Sequence, residues 1–127
     1  MADIVITVST GDGAVDLKAD WTDDAPRTRE AIADALPLEG DAAKWGDELY
    51  FSVPVDVEAE NARAAVEVGT VAYWPQGNAL CLFWGPTPAS RDDPPRAASP
   101  VNVVARVADA SVLSRIDGGA HVRVDRA

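Results

Sequence analysis

Short runs of β-branched and aromatic residues, each followed by glycine, proline or asparagine, recur along this chain and constrain it to a mainly β fold. In the segment YWPQGNALCLFW, two apolar runs flank a turn at residues 75–78. Each run has the length of a strand and is shorter than a typical core helix. Because 127 residues is close to the most common domain size, we expect one domain over residues 1–127.

The spacing of apolar residues predicts an opening β-hairpin over residues 4–19, with its turn at residues 11–13. Further strands are predicted at residues 48–53, 69–74, 79–84, 100–107 and 121–124. Several short strands with turn residues between them favour a closed or nearly closed barrel over a fold built from βαβ units.

One or two short helices complete the prediction. Residues 27–36 form an amphipathic helix, which Asp23, Asp24 and Pro26 favour at its start, and residues 109–116 form a shorter one. Residues 39–44 are interpreted as a loop, and residues 61–65 as a helical turn or a loop. Residues 85–100 show no periodicity and are interpreted as a long loop, which inside a small domain is often functional.

The charge of the chain limits its partners and its environment. Its 11 basic and 21 acidic residues give a net charge of −10, which repels nucleic-acid phosphates and anionic lipid, so neither is an expected partner. Only Lys18 and Lys44 are lysines, and aspartate outnumbers glutamate. Such a surface stays soluble at molar salt, so we expect a salt-rich cytoplasm, as in a haloarchaeon. A GC-rich genome is the alternative explanation.

A cytoplasmic location is also expected because the first residues, MADIVITV, lack a signal-peptide pattern and no apolar run could span a membrane. Cys81 and His121 are the only cysteine and histidine, so we expect neither a metal centre nor a cofactor. Cys81 is interpreted as a buried small apolar residue and His121 as a partly exposed strand residue. The acidic pairs, including Asp47 with Glu48, are interpreted as solvated surface groups.

Pairs of adjacent aromatic residues occur on three of the predicted strands. Neighbouring residues of a strand point to opposite faces, so each pair sends one ring into the barrel and the other outward. The outward rings either form a binding groove or are covered by residues 85–100, which would then make a second small core. The candidate groove residues are Tyr50, Ser52, Tyr73, Trp74, Gln76, Phe83, Trp84 and Asn102.

The segments WGDELYFSVPV, EVGTVAYWPQGNALCLFWGPTP and ASPVNVVARV resemble the small prokaryotic cyclophilin-like proteins, a family without a settled function. The order of the predicted elements agrees with this resemblance over nearly the whole chain. It implies a closed β-barrel of about eight strands with short helices at its ends.

Cyclophilins proper are peptidyl-prolyl isomerases, in which an arginine from a barrel strand hydrogen-bonds the prolyl nitrogen. The strand that resembles it here, residues 48–53, contains no basic residue. Arg91, Arg96 and Arg106 are the arginines that could reach the groove instead, and the sequence assigns no catalytic residue.

Three functions follow as hypotheses. The first is a module that binds a peptide or a small apolar ligand in the aromatic groove. The second is a divergent or slow prolyl isomerase that acts mainly by desolvating the X-Pro bond. The third is a homo-oligomer that uses the aromatic patch as its interface.

Overall fold

The structure is a computed structural model that describes residues 2–90 and 95–127. Over this part of the chain it contains one α-helix, α1 (Pro26–Ala35), one 3-10 helix (Ser111–Arg115) and nine strands. The strands are β1 (Ile4–Thr10), β2 (Gly13–Trp21), β3 (Leu38–Lys44), β4 (Glu48–Ser52), β5 (Arg63–Ala65), β6 (Thr70–Trp74), β7 (Ala79–Phe83), β8 (Arg96–Val107) and β9 (Ala120–Arg126).

Eight of these strands form a closed ring. They are hydrogen-bonded in the order β2-β1-β9-β3-β4-β7-β6-β8, and β8 pairs with β2 to complete the circle. All pairings are antiparallel. The predicted mainly β fold with about eight strands in a closed sheet is therefore confirmed. Closure removes free strand edges from the ring, which protects it against edge-to-edge association.

The long strand β8 has two roles. Its C-terminal part pairs with β2 and β6 inside the ring. Its N-terminal part pairs with the short strand β5, which lies outside the ring. We call this N-terminal part, residues 96–101, the β8 arm. Because the arm leaves the ring, it can cover the outer surface of the neighbouring strands.

The main core fills the interior of the ring. It combines the alternate residues of β1, β4, β6 and β9 with α1 and the 3-10 helix, and includes Ile6, Leu49, Phe51, Tyr73 and Val124. Burying each such side chain contributes about 1.5–3 kcal/mol relative to leaving it exposed. The alternation predicted for the aromatic pairs is observed, because Phe51 and Tyr73 point into this core while their neighbours point outward.

The start of α1 differs from the prediction. Pro26 is its first residue, one position before the predicted start, and Asp23 and Asp24 do not cap it. The carboxylate of Glu60, from a distant loop, accepts hydrogen bonds from the backbone amides of Arg27 (3.1 Å) and Thr28 (2.8 Å). These amides have no partner within a helix, so a carboxylate at this end satisfies them and complements the helix dipole.

Strands occur in two predicted loops and in residues 61–65, which were interpreted as a helical turn or a loop. Residues 39–44 belong to β3, residues 63–65 form β5, and β8 begins at Arg96, so those loop interpretations were wrong. The sequence of β3, LEGDAAK, lacks an alternation of apolar and polar residues, and only Leu38 and Ala42 are buried. Its strand conformation therefore comes from pairing with β4 and β9. Within the described residues, no helix is both long and apolar enough to cross a membrane.

Candidate ligand-binding site

The outer face of β4, β7 and β6 carries the candidate site. In the strand register, Tyr50 of β4 lies opposite Cys81 of β7, which lies opposite Ala72 of β6. Residues directly opposite each other share a face of the sheet, so these three side chains form a row on the outside of the ring. The neighbouring row of β4 and β7 pairs Glu48 with Phe83.

A second core lies on this outer face, beneath the β8 arm. It consists of Val66, Ala72, Cys81, Phe83, Ala97, Val101 and Val103, and the rings of Tyr50 and Trp74 pack against it from the side. Residues 85–100 were expected either to cover the outward rings or to leave them as a groove. The structure shows both features, because Ala97 covers part of the face and a cavity remains beside it.

This cavity, the outer pocket, has a volume of about 240 Å³. Three aromatic side chains, one carboxyl group, one thiol and small apolar residues of the β8 arm line it. They are Trp45, Tyr50, Trp74, Glu48, Cys81, Ala97, Ala98 and Val101. All three aromatic residues are half-buried, so their rings keep apolar surface that is available to a ligand.

Trp74 is held in place from two sides. Its indole Nε1–H donates a hydrogen bond to the Ser99 hydroxyl of the β8 arm. Below the ring lies Gly77 in the turn between β6 and β7, where a Cβ atom would come within 2.3 Å of Cε3 of Trp74. Any side chain at position 77 would therefore collide with the indole, so this glycine allows the ring to lie where it does.

A tight turn between β3 and β4 brings two further residues to the pocket. The backbone N–H of Trp45 donates to the carbonyl oxygen of Glu48 at 2.9 Å. Gly46 has φ of +61° in this turn, the left-handed region that favours glycine, and a Cβ there would lie 2.7 Å from Cα of Thr87. Trp45 and Glu48 thus enter the pocket from the same turn.

Glu48 is the unusual residue of the outer pocket. It is only 5% exposed, so the interpretation of this residue as a solvated surface group was wrong. Within the described part of the chain its carboxyl group forms no ion pair. Burial raises the pKa of Glu48 to about 7, and the nearby Cys81 thiol opposes this rise. At neutral pH this carboxyl group is therefore only partly ionised.

Cys81 lies beside Glu48 at the base of the pocket. It is a buried free cysteine, as predicted. Burial, together with the neighbouring Glu48 charge, raises the pKa of its thiol well above the ordinary value. The thiol therefore stays protonated at neutral pH and serves as a small lining group rather than a nucleophile.

The predicted groove residues are distributed over several places. Tyr50 and Trp74 line the outer pocket, and Phe83 lies in the second core beneath it. Ser52, two residues after Tyr50 on the same face of β4, is exposed, and so is Gln76 in the turn between β6 and β7. The pocket thus includes two of the predicted rings and excludes the inward-facing ones.

Tyr73 and Trp84 point to the interior of the ring. The Tyr73 hydroxyl donates to the carbonyl oxygen of Val55 (2.5 Å) and accepts from Asn78 Nδ2 (2.9 Å), so its polar group is fully used. Trp84 also borders a second cavity of about 660 Å³ at one end of the ring, which we call the end cavity. Trp21 and the 3-10 helix line that cavity as well.

Asn102 is fully buried and belongs to a network that anchors α1. Its Oδ1 accepts from the Glu60 amide (2.9 Å), and its Nδ2 donates to the Thr28 hydroxyl (3.0 Å) and to the Glu58 carbonyl oxygen (2.9 Å). We call Thr28, Glu60 and Asn102 the helix-cap network. Three of the four hydrogen bonds that the amide of Asn102 can form are made to protein groups, and the side chain is fully buried, so it lies outside the outer pocket.

The three arginines considered for the groove do not meet there in the described structure. Arg96 lies on the exposed side of the β8 arm. Arg106 borders the end cavity and pairs with Glu67 at 2.5 Å. Arg91 lies outside the described residues. Over residues 2–90 and 95–127, therefore, no guanidinium group lines the outer pocket.

Glu48 and Trp45 are the carboxyl and aromatic residues of the pocket that sequence reasoning missed. A signal for Glu48 was present, because the alternation in ELYFS places it on the same strand face as Tyr50. A carboxylate two residues from an outward aromatic ring is a candidate pocket group rather than only a charge on the surface. The contributions of Ala97 and Ala98 had no signal, because the β8 arm shows no periodicity.

Comparisons with known proteins agree with this architecture. A family model described as cyclophilin-like matches residues 4–125. The solution structure of a hypothetical protein from Archaeoglobus fulgidus is similar, with 40% sequence identity, a TM-score of 0.73, and coverage of 99% of this chain and 96% of that one. The structure of McbB in complex with tryptophan shares the fold at 17% identity and a TM-score of 0.71, covering 97% of this chain and 44% of McbB. No curated protein matches the chain.

Proposed function

This chain belongs to the cyclophilin-like family, and we propose that its outer pocket binds a peptide or a small, mainly apolar ligand. The observation that carries the proposal is the convergence of Trp45, Tyr50 and Trp74 on one cavity. Binding pockets are typically concave, apolar and aromatic, with a few polar groups that set the orientation of the ligand. Glu48 is the polar group of that kind here.

The size of the pocket restricts the ligand. Pockets for drug-sized molecules occupy about 300–1,000 Å³, and this one has about 240 Å³. It therefore accommodates one side chain of a peptide or one small molecule. Burying the free surface of the rings would contribute roughly 25 cal/mol for each Å² removed from water.

The four tryptophans provide a direct test. Trp45 and Trp74 line the outer pocket, whereas Trp21 and Trp84 border the end cavity. Indole N–H resonances can be followed by NMR during titration with 3,3-dimethylbutan-1-ol and with N-acetyl-proline methylamide. We expect saturable shifts of the first pair and unchanged resonances of the second. Unchanged Trp45 and Trp74 resonances up to the solubility limit of both probes would contradict the proposal.

Glycine variants supply a matched control. Gly77→Ala introduces a methyl group that collides with the Trp74 ring, while a Cβ at Gly118 meets nothing within 4 Å. We expect Gly77→Ala to weaken probe binding about tenfold or more, because the indole must leave its position. Gly118→Ala should bind as the wild type does. Equal affinity of the two variants would show that the Trp74 ring is not part of the binding surface.

Two measurements test the other hypotheses, a prolyl isomerase and a homo-oligomer. A chymotrypsin-coupled assay that shows proline isomerisation above the background rate would favour an isomerase, although no arginine lines the pocket in the described residues. A change in sedimentation mass on Trp74→Ala would identify the aromatic surface as a subunit interface. We expect neither result.

We also propose that the protein works in a salt-rich cytoplasm. The support is its net charge of −10 with only two lysines, since salt screens the self-repulsion of such a surface. We expect the folded state to lose stability below roughly 0.5 M salt, where the Debye length exceeds about 4 Å. Equal unfolding temperatures in dilute buffer and in 1 M NaCl would contradict this assignment.

A further inference from the structure

The outer pocket combines two features that an apolar ligand alone does not require. Three aromatic rings surround the cavity, and a carboxyl group that is almost completely buried faces into it. A buried carboxylate without a charged partner is costly in a protein, since desolvation is then uncompensated. A ligand that brings a positive charge would offset that cost.

Aromatic rings favour the same kind of ligand. The negative face of an indole or phenol ring attracts a cation, and cages of several rings are the usual means of binding substituted ammonium groups. Trp45, Tyr50 and Trp74 supply such rings, and Glu48 supplies the full negative charge. The alkyl part of the ligand would pack against Ala97 and Val101 of the β8 arm.

We infer that the outer pocket binds an organic cation, an alkylammonium group whose charge lies against Glu48 and whose alkyl groups lie against the three rings. This inference rests on the proposed function, because it names the ligand class of the same pocket. The ammonium group could belong to a free small molecule or to a lysine side chain of a peptide. Both share the chemistry that the pocket recognises.

The groups around Glu48 decide whether any titration other than its own contributes to the pH dependence of binding. Tyr50 shares its strand, and Cys81 faces it from β7 as a protonated thiol. The neighbouring Asp47 side chain is directed toward Gly85, where a Cβ atom would lie 2.4 Å from Asp47 Oδ2. Trp74 of β6 and the lining residues of the β8 arm carry no charge. Glu48 is therefore the group whose ionisation controls the charge of the described pocket.

Burial raises the pKa of Glu48 to about 7. A cation binds the ionised form, so its affinity should rise as the pH increases from 6 to 8, by roughly tenfold. A neutral ligand of the same shape should lack this dependence.

The test compares choline with its neutral isostere 3,3-dimethylbutan-1-ol, in which carbon replaces the charged nitrogen. Titrations at pH 8 follow the Trp45 and Trp74 indole resonances in 1 M NaCl, where the Debye length of about 3 Å suppresses attraction by exposed charges. We expect choline to bind about tenfold or more tightly than the isostere. Glu48→Gln, which keeps the size of the side chain, should reduce the ratio to about threefold or less.

A second arm identifies the source of the cation. N-acetyl-lysine methylamide is compared with N-acetyl-norleucine methylamide, which lacks only the ammonium group. Preference for the lysine compound over choline supports the inference and indicates a peptide, while the reverse supports it and indicates a free small molecule. The pH dependence of choline binding to the wild type tests the inference even if Glu48→Gln fails to fold.

Failure of this inference can be distinguished from failure of the proposed function. Equal affinity for choline and the isostere, with both shifting the pocket indoles, would overturn the cation and leave the proposed function intact. A choline preference that survives in Glu48→Gln and does not vary with pH would likewise overturn the inference. Absence of any shift at Trp45 and Trp74 with these four probes and with N-acetyl-proline methylamide would overturn both.

Discussion

The helix-cap network and the outer pocket each hold a glutamate away from water, and the two carboxyl groups meet opposite surroundings. Glu60, with a side chain 11% exposed, accepts hydrogen bonds from the amides of Arg27 and Thr28 and from the Thr28 hydroxyl. Burial alone would raise the pKa of Glu60, but these donors together lower it below the ordinary value. Glu48 has no such set of donors, and burial raises its pKa to about 7.

The difference lies in how the polar groups of the two regions are paired. In the helix-cap network, polar groups are paired with protein groups, so the network holds α1 and the loop before β5 on β8. In the outer pocket, a polar group is buried among aromatic rings and faces a cavity. A buried carboxyl group whose pKa is raised by desolvation is typical of functional sites. The first region holds the fold together, and the second is the proposed binding site.

The largest effect should come from breaking the helix-cap network. Asn102→Leu keeps the volume of the side chain but leaves the Glu60 amide and the Glu58 carbonyl oxygen without their partner. We expect a loss of about 3–4 kcal/mol in the free energy of unfolding, measured by urea denaturation. Thr28→Val, which retains both of those hydrogen bonds, should cost less. A loss below about 1 kcal/mol in Asn102→Leu would show that the network contributes little.

The second-largest effect should come from a substitution in the outer pocket, and it should raise the free energy of unfolding. Glu48→Gln removes a group whose folded-state pKa lies above its unfolded value of about 4.5. The folded state holds the extra proton, so Glu48 lowers the stability progressively as the pH rises from 4.5 to 7. At pH 8 we expect Glu48→Gln to be more stable than the wild type by up to about 3 kcal/mol, and at pH 4 to be nearly equal.

Denaturation curves at the two pH values test this expectation, and Asp47→Asn in the same turn controls for the loss of one negative charge. An identical difference between wild type and Glu48→Gln at pH 4 and pH 8 would indicate that Glu48 is not desolvated in the folded protein.

A smaller effect of reversed pH dependence is expected for Glu60. Its pKa is lower in the folded than in the unfolded state, so its contribution is present above the unfolded value and is lost as the pH falls through the folded value. Glu60→Gln should therefore be destabilised at pH 7 and approach the wild type near pH 3. Glu58→Gln, an exposed change in the same loop, is the matched control. Destabilisation by Glu60→Gln that is equally large at pH 3 would contradict the assigned role.

The smallest effect concerns an exposed site that lies in neither region. Hydrogen bonds to Asp41 and Glu39, each 3.1 Å long, raise the pKa of His121 on β9. Its stabilising contribution is present below about pH 6.5 and disappears as the pH rises through the higher folded value. Because the chain has one histidine, its NMR titration needs no assignment. Asp41→Asn should lower the pKa of His121, and an unchanged titration would show that the pair does not form in solution.

The strand position and partial exposure predicted for His121 are confirmed.

The sequence was sufficient to predict what depends on short-range periodicity. The alternation in ELYFS and in TVAYW indicates which rings point outward, and the structure places Tyr50 and Trp74 accordingly. The family resemblance and the closed mainly β sheet are likewise confirmed. The strand faces follow from local alternation, and the closed sheet follows from the family resemblance.

What the sequence could not predict depends on contacts between distant segments. Asn102 was predicted to be a groove residue, whereas the structure places it in the helix-cap network. Its hydrogen bonds reach Thr28 and Glu60, 74 and 42 residues away. Glu48 shares the outer pocket with Ala97 and Ala98, although their segment has no strand periodicity. Contacts between segments so far apart in the chain cannot be read from the neighbours of a residue in the sequence.

The most direct test of this account is the pKa of Glu48 in the folded protein. Carbon-13 NMR of glutamate-labelled protein, with Glu48→Gln identifying the resonance, measures the titration of this carboxyl group alone. The structure predicts a value of about 7 and a decrease when choline occupies the outer pocket. A value close to the ordinary 4.5, unaffected by choline, would contradict both the burial of the group and its role in the pocket.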